Sequence, residues 1–328
     1  MMRFAFSARQ TPLNSASGRL AAGLGIALVT AACTDDAGPV DPGPTVTKQI
    51  VFTSDRTGDW DIWLMNEDGT GRRNLSRNPA QEHFPVWSPD GTRIAFTSSR
   101  DRVSAVDGNT EIYVMDANGA NQIRLTNHPA PDTRPTWSPD SRKIAFTSLR
   151  DGEAEIYAMD ADGTGLENLT DHPARDDYAS WSPDGAWIAF SSLRDASGGG
   201  DPNSEIYRMR ADGSDQERLT DTPLTELGPS WSPDGTRIAF YTFRQLLLGI
   251  DLPGDDDIYV MNADGSGRVA ILANPSEDFQ PKWSSHDRIV FTSNRPVTEV
   301  WTMDSNGSNF RQLTENNNVT SWEASWAP

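Results

Sequence analysis

Few residues in this chain could do covalent or acid–base chemistry. The sequence of 328 residues holds four histidines, His83, His128, His172 and His286, and one cysteine, Cys33. A single thiol rules out a disulfide framework, and no GxSxG elbow presents a serine nucleophile. His128 and His172 sit in matching contexts, "TNHP" and "TDHP", which points to a repeated loop cap rather than a catalytic base or a metal ligand. Asp251, Asp255, Asp256 and Asp257 offer hard oxygen atoms for calcium, but no complete calcium loop surrounds them. No metal and no cofactor are expected, and no recognisable catalytic constellation is present.

Charge narrows the partners. A formal charge of −19 repels nucleic acid and anionic headgroups, so nucleic acid is excluded as a partner. The only membrane contact expected is through the N-terminus. There Arg3, Arg9 and Arg19 precede the apolar run "LAAGLGIALVTAA", too short to span a bilayer but suited to a secretory signal. The run ends at Cys33 in "LVTAAC", which resembles the bacterial lipoprotein box, although Thr30 stands where that box usually has Leu, Val or Ile. The resemblance implies acylation of Cys33. Residues 1–32 are then a signal peptide and 33–47 a lipidated flexible tether, rich in proline and glycine.

The elements that must position any site come from an internal repeat. Tryptophan recurs in "PVWSPDGTRIAF", "PTWSPDSRKIAF", "ASWSPDGAWIAF", "PSWSPDGTRIAF", "PKWSSHDRIVF" and "ASWAP", at Trp87, Trp137, Trp181, Trp231, Trp283 and Trp326. Repeats of roughly 40–50 residues, built of short alternating runs and turn signals, read as propeller blades of four antiparallel strands. Within each unit a strand ending in Trp leads through "SPDG" to an "IAF" strand, then an "EIY" strand, then a short "LT" strand. Proline presets φ and glycine accepts positive φ, so these are tight turns. The chain from residue 48 opens on an "IAF" equivalent and finishes on a Trp strand, "SWEASW". The final strand should therefore complete the first blade, which makes residues 48–328 an all-β, six-bladed propeller closed by its own ends.

The recurring "WSPDG", "IAF.S.R", "EIY.M.ADG" and "LT" segments resemble the WD-like repeats of the TolB β-propeller family over residues 48–328. That resemblance implies a bacterial envelope propeller that binds other macromolecules. TolB carries an α/β domain before its propeller, whereas here only a short tether precedes the first strand, so a role in the Tol system does not carry over. The implied location is periplasm-facing or surface, anchored by lipid.

Repeated residues read as architecture, and departures from the repeat as function. Arg56, Arg100, Arg150, Arg194, Arg244 and Arg295 end the second strands, while Asp61, Glu111, Glu155, Glu205, Asp257 and Glu299 begin the third; cross-strand ion pairs are expected between them. A further acidic series, Glu82, Asp132, Asp176, Glu226 and Asp278, stands five residues before each tryptophan and could share the same arginines. The position three before each tryptophan varies instead: Phe84, Arg134, Tyr178, Gly228, Gln280 and Glu323. These should ring the mouth of the central channel, on the face that also carries the insertions at 101–110, 195–204 and 245–257. The last insertion holds Leu246, Leu247 and Leu248. Phe84, Arg134, Tyr178, Gln280, Glu323 and the three leucines are thus the candidate ligand-binding residues of a monomer that engages an envelope protein, a peptide, or peptidoglycan or another glycan. The alternatives are a glycan-active enzyme, lyase- or hydrolase-like, working through His83 or Asp176, and a purely structural lipoprotein.

Overall fold

In the computed structural model the described residues are 48–101, 109–194, 203–243, 257–274, 276–295, 297–315 and 319–328. Cys33, the signal and tether segments, Leu246, Leu247, Leu248 and most of the three insertions lie outside them.

Twenty-four strands are described, arranged as six antiparallel sheets of four. The first strand of each unit ends in the repeat tryptophan and lies innermost, followed outward by the other three in chain order. The second blade shows the pattern, with Glu82–Trp87, Arg93–Ser98, Glu111–Asp116 and Ile123–Arg124. The first blade is composite. Its three outer strands are Gln49–Ser54, Asp61–Asn66 and Arg73–Asn74, and its innermost strand is Ser321–Trp326 from the far end of the chain. Ile50 pairs with Trp326, Val51 with Ser325 and Ser54 with Ser321, so the ring closes as the order of strand types requires.

Alternation of side chains turns both faces of every blade toward a neighbour. Six apolar clusters result, one at each blade junction. Each second strand contributes a phenylalanine shielded from water: Phe52, Phe96, Phe146, Phe190, Phe240 and Phe291. Trp87, Trp137, Trp231 and Trp326 are buried as expected of core anchors, each removing on the order of 200 Å² from water. Trp181 and Trp283 are only half-buried. The "SPDG" turns are held from inside. In the second blade Ser88 Oγ donates to Asp90 Oδ1 at 2.6 Å, Asp90 Oδ1 also accepts the Thr92 N–H at 2.9 Å, and Gly91 takes φ 69°.

The ion pairs choose between the two acidic series. Arg100, Arg150, Arg194 and Arg295 reach inward to Glu82, Asp132, Asp176 and Asp278, at 2.8, 2.9, 2.5 and 2.6 Å. They do not pair with the acids that begin the third strands. The reason lies in the ring each guanidinium covers, 4.7 Å over Tyr113 for Arg100 and 4.7 Å over Tyr157 for Arg150. In the blade where Ser321 replaces the acid, Arg56 Nη2 donates to the Ser321 hydroxyl at 3.3 Å. Arg244 lies outside the described residues; Glu226 meets Arg268 at 3.2 Å. Third-strand acids turn outward to hold the short outer strand and its following loop. Glu111 accepts from Arg124, from Thr126 Oγ1 and from the His128 backbone N–H.

Candidate functional site at the channel mouth

Five innermost strands slip register against their partners at the same point, between His83 and Val86, Thr133 and Thr136, Asp177 and Ser180, Leu227 and Ser230, and Phe279 and Lys282. In the composite blade the innermost strand slips at the same point, between Trp322 and Ser325, opposite Thr53 and Val51. At each slip the residue three before the tryptophan has positive φ: Phe84 52°, Arg134 53°, Tyr178 60°, Gly228 61°, Gln280 55° and Glu323 53°. A non-glycine residue there costs on the order of 1 kcal/mol. The bulge re-aims its side chain out of the ladder. The varied positions therefore share one local geometry, inside each inner strand and three residues before its tryptophan.

Three of them form a stack. The Arg134 guanidinium lies 4.7 Å from the Phe84 ring centre and 4.2 Å from that of Tyr178, between two aromatic side chains from the neighbouring blades. Its Nη1 meets Asp177 Oδ2 at 3.2 Å and its Nη2 donates to the Tyr178 hydroxyl at 3.1 Å. Asp177 also accepts from Thr147 Oγ1 and from Arg175. Gly228 supplies no side chain, and the space is taken by Tyr241, whose Cε1 lies 2.8 Å from where a Cβ on Gly228 would stand. Burial holds the Tyr241 hydroxyl protonated, its pKa raised well above the ordinary value. Gln280 is half-buried and its amide oxygen lies 3.5 Å from the Thr292 hydroxyl. Glu323 is 6% exposed and does not stand free in the mouth. Its Oε2 accepts Thr53 Oγ1 at 2.9 Å and the Phe84 N–H at 2.9 Å, with His83 Nδ1 at 3.3 Å.

Beside Glu323 is a second group that the repeat does not require. Trp60 and Trp322 have ring centres 5.4 Å apart, and His83 lies 5.7 Å from Trp60, 5.9 Å from Trp322 and 6.1 Å from Phe84. All four rings are half-buried. The signal was present in the sequence, since both tryptophans fall outside the repeat slot. Trp60 stands where other blades have Thr110, Ala154, Ser204 and Thr298; Trp322 stands where they have His83, Thr133, Asp177, Leu227 and Phe279.

The remaining polar candidates are structural or dispersed. Ala130 N donates to His128 Nδ1, and Ala174 N to His172 Nδ1, so both histidines cap their loops. His83 and Asp176 belong to the second and fourth blades, and Asp176 is fully buried against Arg194. Among the described residues no group of three His, Cys, Asp or Glu side chains could hold a metal ion.

Residues 102–242 match the family model described as the TolB beta propeller domain. A segment of 61 residues is 38% identical to a protein TolB homolog from Chlorobium luteolum, a match covering 19% of this chain and only 14% of that protein's length. The fold is similar to the crystal structure of TolB from Acinetobacter baumannii, with TM-score 0.68 and 21% identity over 86% of this chain and 67% of that one. It is also similar to a putative TolB from Agrobacterium tumefaciens, with TM-score 0.62 and 22% identity over 86% and 99% of the two chains.

Proposed function

From the premise that this chain is a TolB-like β-propeller, we propose that it is a non-enzymatic binding scaffold of the bacterial cell envelope, engaging a protein, peptide or cell-wall partner at the mouth. In this reading acylated Cys33 and the tether at 33–47 hold the propeller to a membrane, and the closed ring presents one varied face to the partner.

One observation carries the reading. The departures from the repeat gather at one end of the channel, where Phe84, Arg134 and Tyr178 form a stack and Trp60, Trp322 and His83 extend it along the rim. Half-exposed aromatic side chains with a guanidinium between them are the residue types that dominate binding energetics at protein interfaces. The opposite face repeats one turn from blade to blade, which serves architecture and gives a partner nothing distinctive to read. Gln280 and the leucines Leu246, Leu247 and Leu248 belong to the proposed surface on their sequence position.

The test is site-resolved crosslinking in intact cells. A photoreactive residue at Phe84 or Gln280 should capture one defined partner, and the same residue at Asp162 in the opposite turns should not. Equal capture from both faces would defeat the reading. Cys33→Ser should release the protein from the membrane fraction or leave it unprocessed, and a wild-type protein found wholly soluble and unacylated would remove the anchor from it.

A further inference from the structure

On the outer perimeter, the short outermost strand of one blade meets the turn between the third and fourth strands of the next. Leu75 packs against Gly119 in this way, Leu169 against Gly213 and Leu219 against Gly265. Three positions frame each junction: the first residue of the short strand, the residue four beyond it, and the residue before the turn glycine of the next blade. Between the third and fourth blades these are Glu167, Asp171 and Asp212, and between the fourth and fifth Glu217, Asp221 and Asp264. Between the first and second blades they are Arg73, Arg77 and Asn118. The same junction that is acidic at all three positions elsewhere is here cationic at two and neutral at the third.

A cleft of about 310 Å³ opens at that junction, walled by Arg73, Asn74 and Arg77 from the first blade and Asn118 and Gln122 from the second, with no carboxylate in its lining. Its side-chain acceptors are in use. Asn74 Oδ1 accepts the Arg77 N–H at 2.9 Å, Asn118 Oδ1 the Ala120 N–H at 2.8 Å, Ser76 Oγ the Ile62 N–H at 2.9 Å and Gln122 Oε1 the Arg100 Nη1 at 2.7 Å. On the floor the Leu75 and Ser76 carbonyls both take Gln122 Nε2 at 3.2 Å. Donors remain. Arg77 Nε donates to the Asn74 carbonyl at 3.2 Å, which steadies the side chain and leaves both Nη groups open. Among the described residues neither the Arg73 guanidinium nor Asn118 Nδ2 has a partner, and neither arginine enters an ion pair. The carboxylate behind the strand, Asp61, is 3% exposed and accepts Asn74 Nδ2, Ser76 Oγ and the Asn78 N–H, while Glu82 is paired with Arg100. With Asp61 counted, two exposed guanidiniums face one buried carboxylate, so the cleft stays positive on a chain of formal charge −19.

We propose that this perimeter cleft is a binding site for a phosphoryl group, held by the Arg73 and Arg77 guanidiniums with Asn118 Nδ2 as a further donor. A wall whose acceptors are engaged and whose donors are open fits a ligand that only accepts, and a guanidinium fork matches paired oxygens of phosphate or carboxylate. The amide places a third donor group beside the two forks, which suits the three or four oxygens of a phosphoryl group better than the two of a carboxylate. The volume falls at the lower end of small-molecule pockets, with room for phosphate and for a group it esterifies. The phosphoryl group is that of free phosphate or of a small phosphate ester. The site lies on outermost strands, whereas the mouth is built from innermost ones, so it does not rest on the binding proposed there.

Arginine labelling by phenylglyoxal, read peptide by peptide on the intact protein, tests this with Arg142 and Arg311 as internal controls. Both are exposed, and Arg311 holds the position of Arg73 in the sixth blade, with Glu315 and Asp68 where the cleft has Arg77 and Asn118. Phosphate at the same ionic strength as chloride should slow labelling of Arg73 and Arg77 about fivefold, as for a site four-fifths occupied, and leave the controls unchanged. Phosphate should also raise the Tm of wild type more than that of a double variant, Arg73→Gln with Arg77→Gln, whereas Arg311→Gln should keep the wild-type gain. Glucose 1-phosphate separates the two sources: stronger protection than by inorganic phosphate at equal concentration assigns an ester, and equal or weaker protection assigns free phosphate. Acetate protecting as well as phosphate would overturn the phosphoryl assignment. Equal labelling of Arg73 and Arg77 in phosphate and chloride would overturn the site itself, without any variant having to fold.

Discussion

Glu323 Oε2 accepts the backbone N–H of Phe84 at 2.9 Å, a bond that crosses from the last strand of the chain to the innermost strand of the second blade. The same oxygen takes the Thr53 hydroxyl, so one buried carboxylate ties the closing strand to both the blade it completes and the next one. Glu323→Ala would strand two buried donors and should cost roughly 1–3 kcal/mol, read as a lower denaturant midpoint with an unchanged slope. Deleting 321–328 should do far more. It removes the innermost strand of the first blade and uncovers the Gln49–Ser54 edge, so loss of cooperative unfolding or aggregation is expected in calorimetry. A truncated protein that melts like wild type would show that the ends do not seal the ring.

Acid stability should be highest in a narrow mildly acidic window. Burial raises Glu82 to about 7 from 4.5 despite its Arg100 partner, and burial also raises Asp132, Asp176 and Glu226. Between 4.5 and 7 the native state then binds more protons than the unfolded chain, so stability falls as pH rises through that range. The turn aspartates act oppositely. Hydrogen bonds from Ser138, Ser182 and Ser232 lower Asp140, Asp184 and Asp234, the last to about 2, so their contribution is present above 3.8 and lost as pH falls toward 2. A Tm profile against pH should peak between these limits, near 4, and Glu82→Gln should flatten its descent toward 7.

Lys282 gives a separate signature at high pH. Its folded pKa of about 8 lies below the ordinary 10.5, so its penalty is complete below 8 and relieved as pH rises to 10.5. In chloride buffer Lys282→Met should raise Tm at pH 7, with the gain shrinking above pH 8 and vanishing near 10.5. A gain that does not change with pH would place the effect in packing rather than charge.

Much of the fold was legible because the repeat encodes backbone geometry directly. "SPDG" specifies a turn through Asp90 and Gly91, and a chain that starts on an "IAF" strand must close on a Trp strand. The arginine pairing was not legible, since Glu82 and Glu111 stand at comparable chain positions relative to Arg100. The choice depends on the Tyr113 ring, which only the third strand's register places under the guanidinium. The positive φ shared by Phe84, Arg134, Tyr178, Gln280 and Glu323 was visible in just one letter, the glycine at 228. The slot three before tryptophan holds the stack, whereas Trp60 lies in another slot, which Thr110, Ala154, Ser204 and Thr298 fill elsewhere.

Gly228 therefore makes a sharp test of the bulge. Alanine there keeps φ near 61° only under strain, and its Cβ would press on the enclosed Tyr241 ring. Gly228→Ala should cost roughly 1–3 kcal/mol from left-handed strain and overpacking together. In a Tyr241→Ala background, where the overpacking is gone, Gly228→Ala should still cost the backbone part, and no further loss of stability on that step would mean that strain at this position is negligible.

The rim tryptophan separates binding from stability. Trp60 is half-buried and rests against His83 and Trp322, whereas Trp87 is 7% exposed within the junction of the first two blades. Trp87→Ala should cost roughly 3–5 kcal/mol, the range for emptying a packed aromatic site. Trp60→Ala removes a ring that solvent already reaches on one side, so the Tm should fall much less. If the aromatic rim is the contact surface, the same substitution should weaken partner capture about tenfold or more, as expected when an aromatic anchor is lost. Ser in place of Leu246, Leu247 and Leu248 should behave likewise if that insertion shares the surface. Trp60→Ala with full capture and a Tm loss as large as that of Trp87→Ala would mean that the rim aromatics only cap the core, and the binding face would have to be sought elsewhere on the ring.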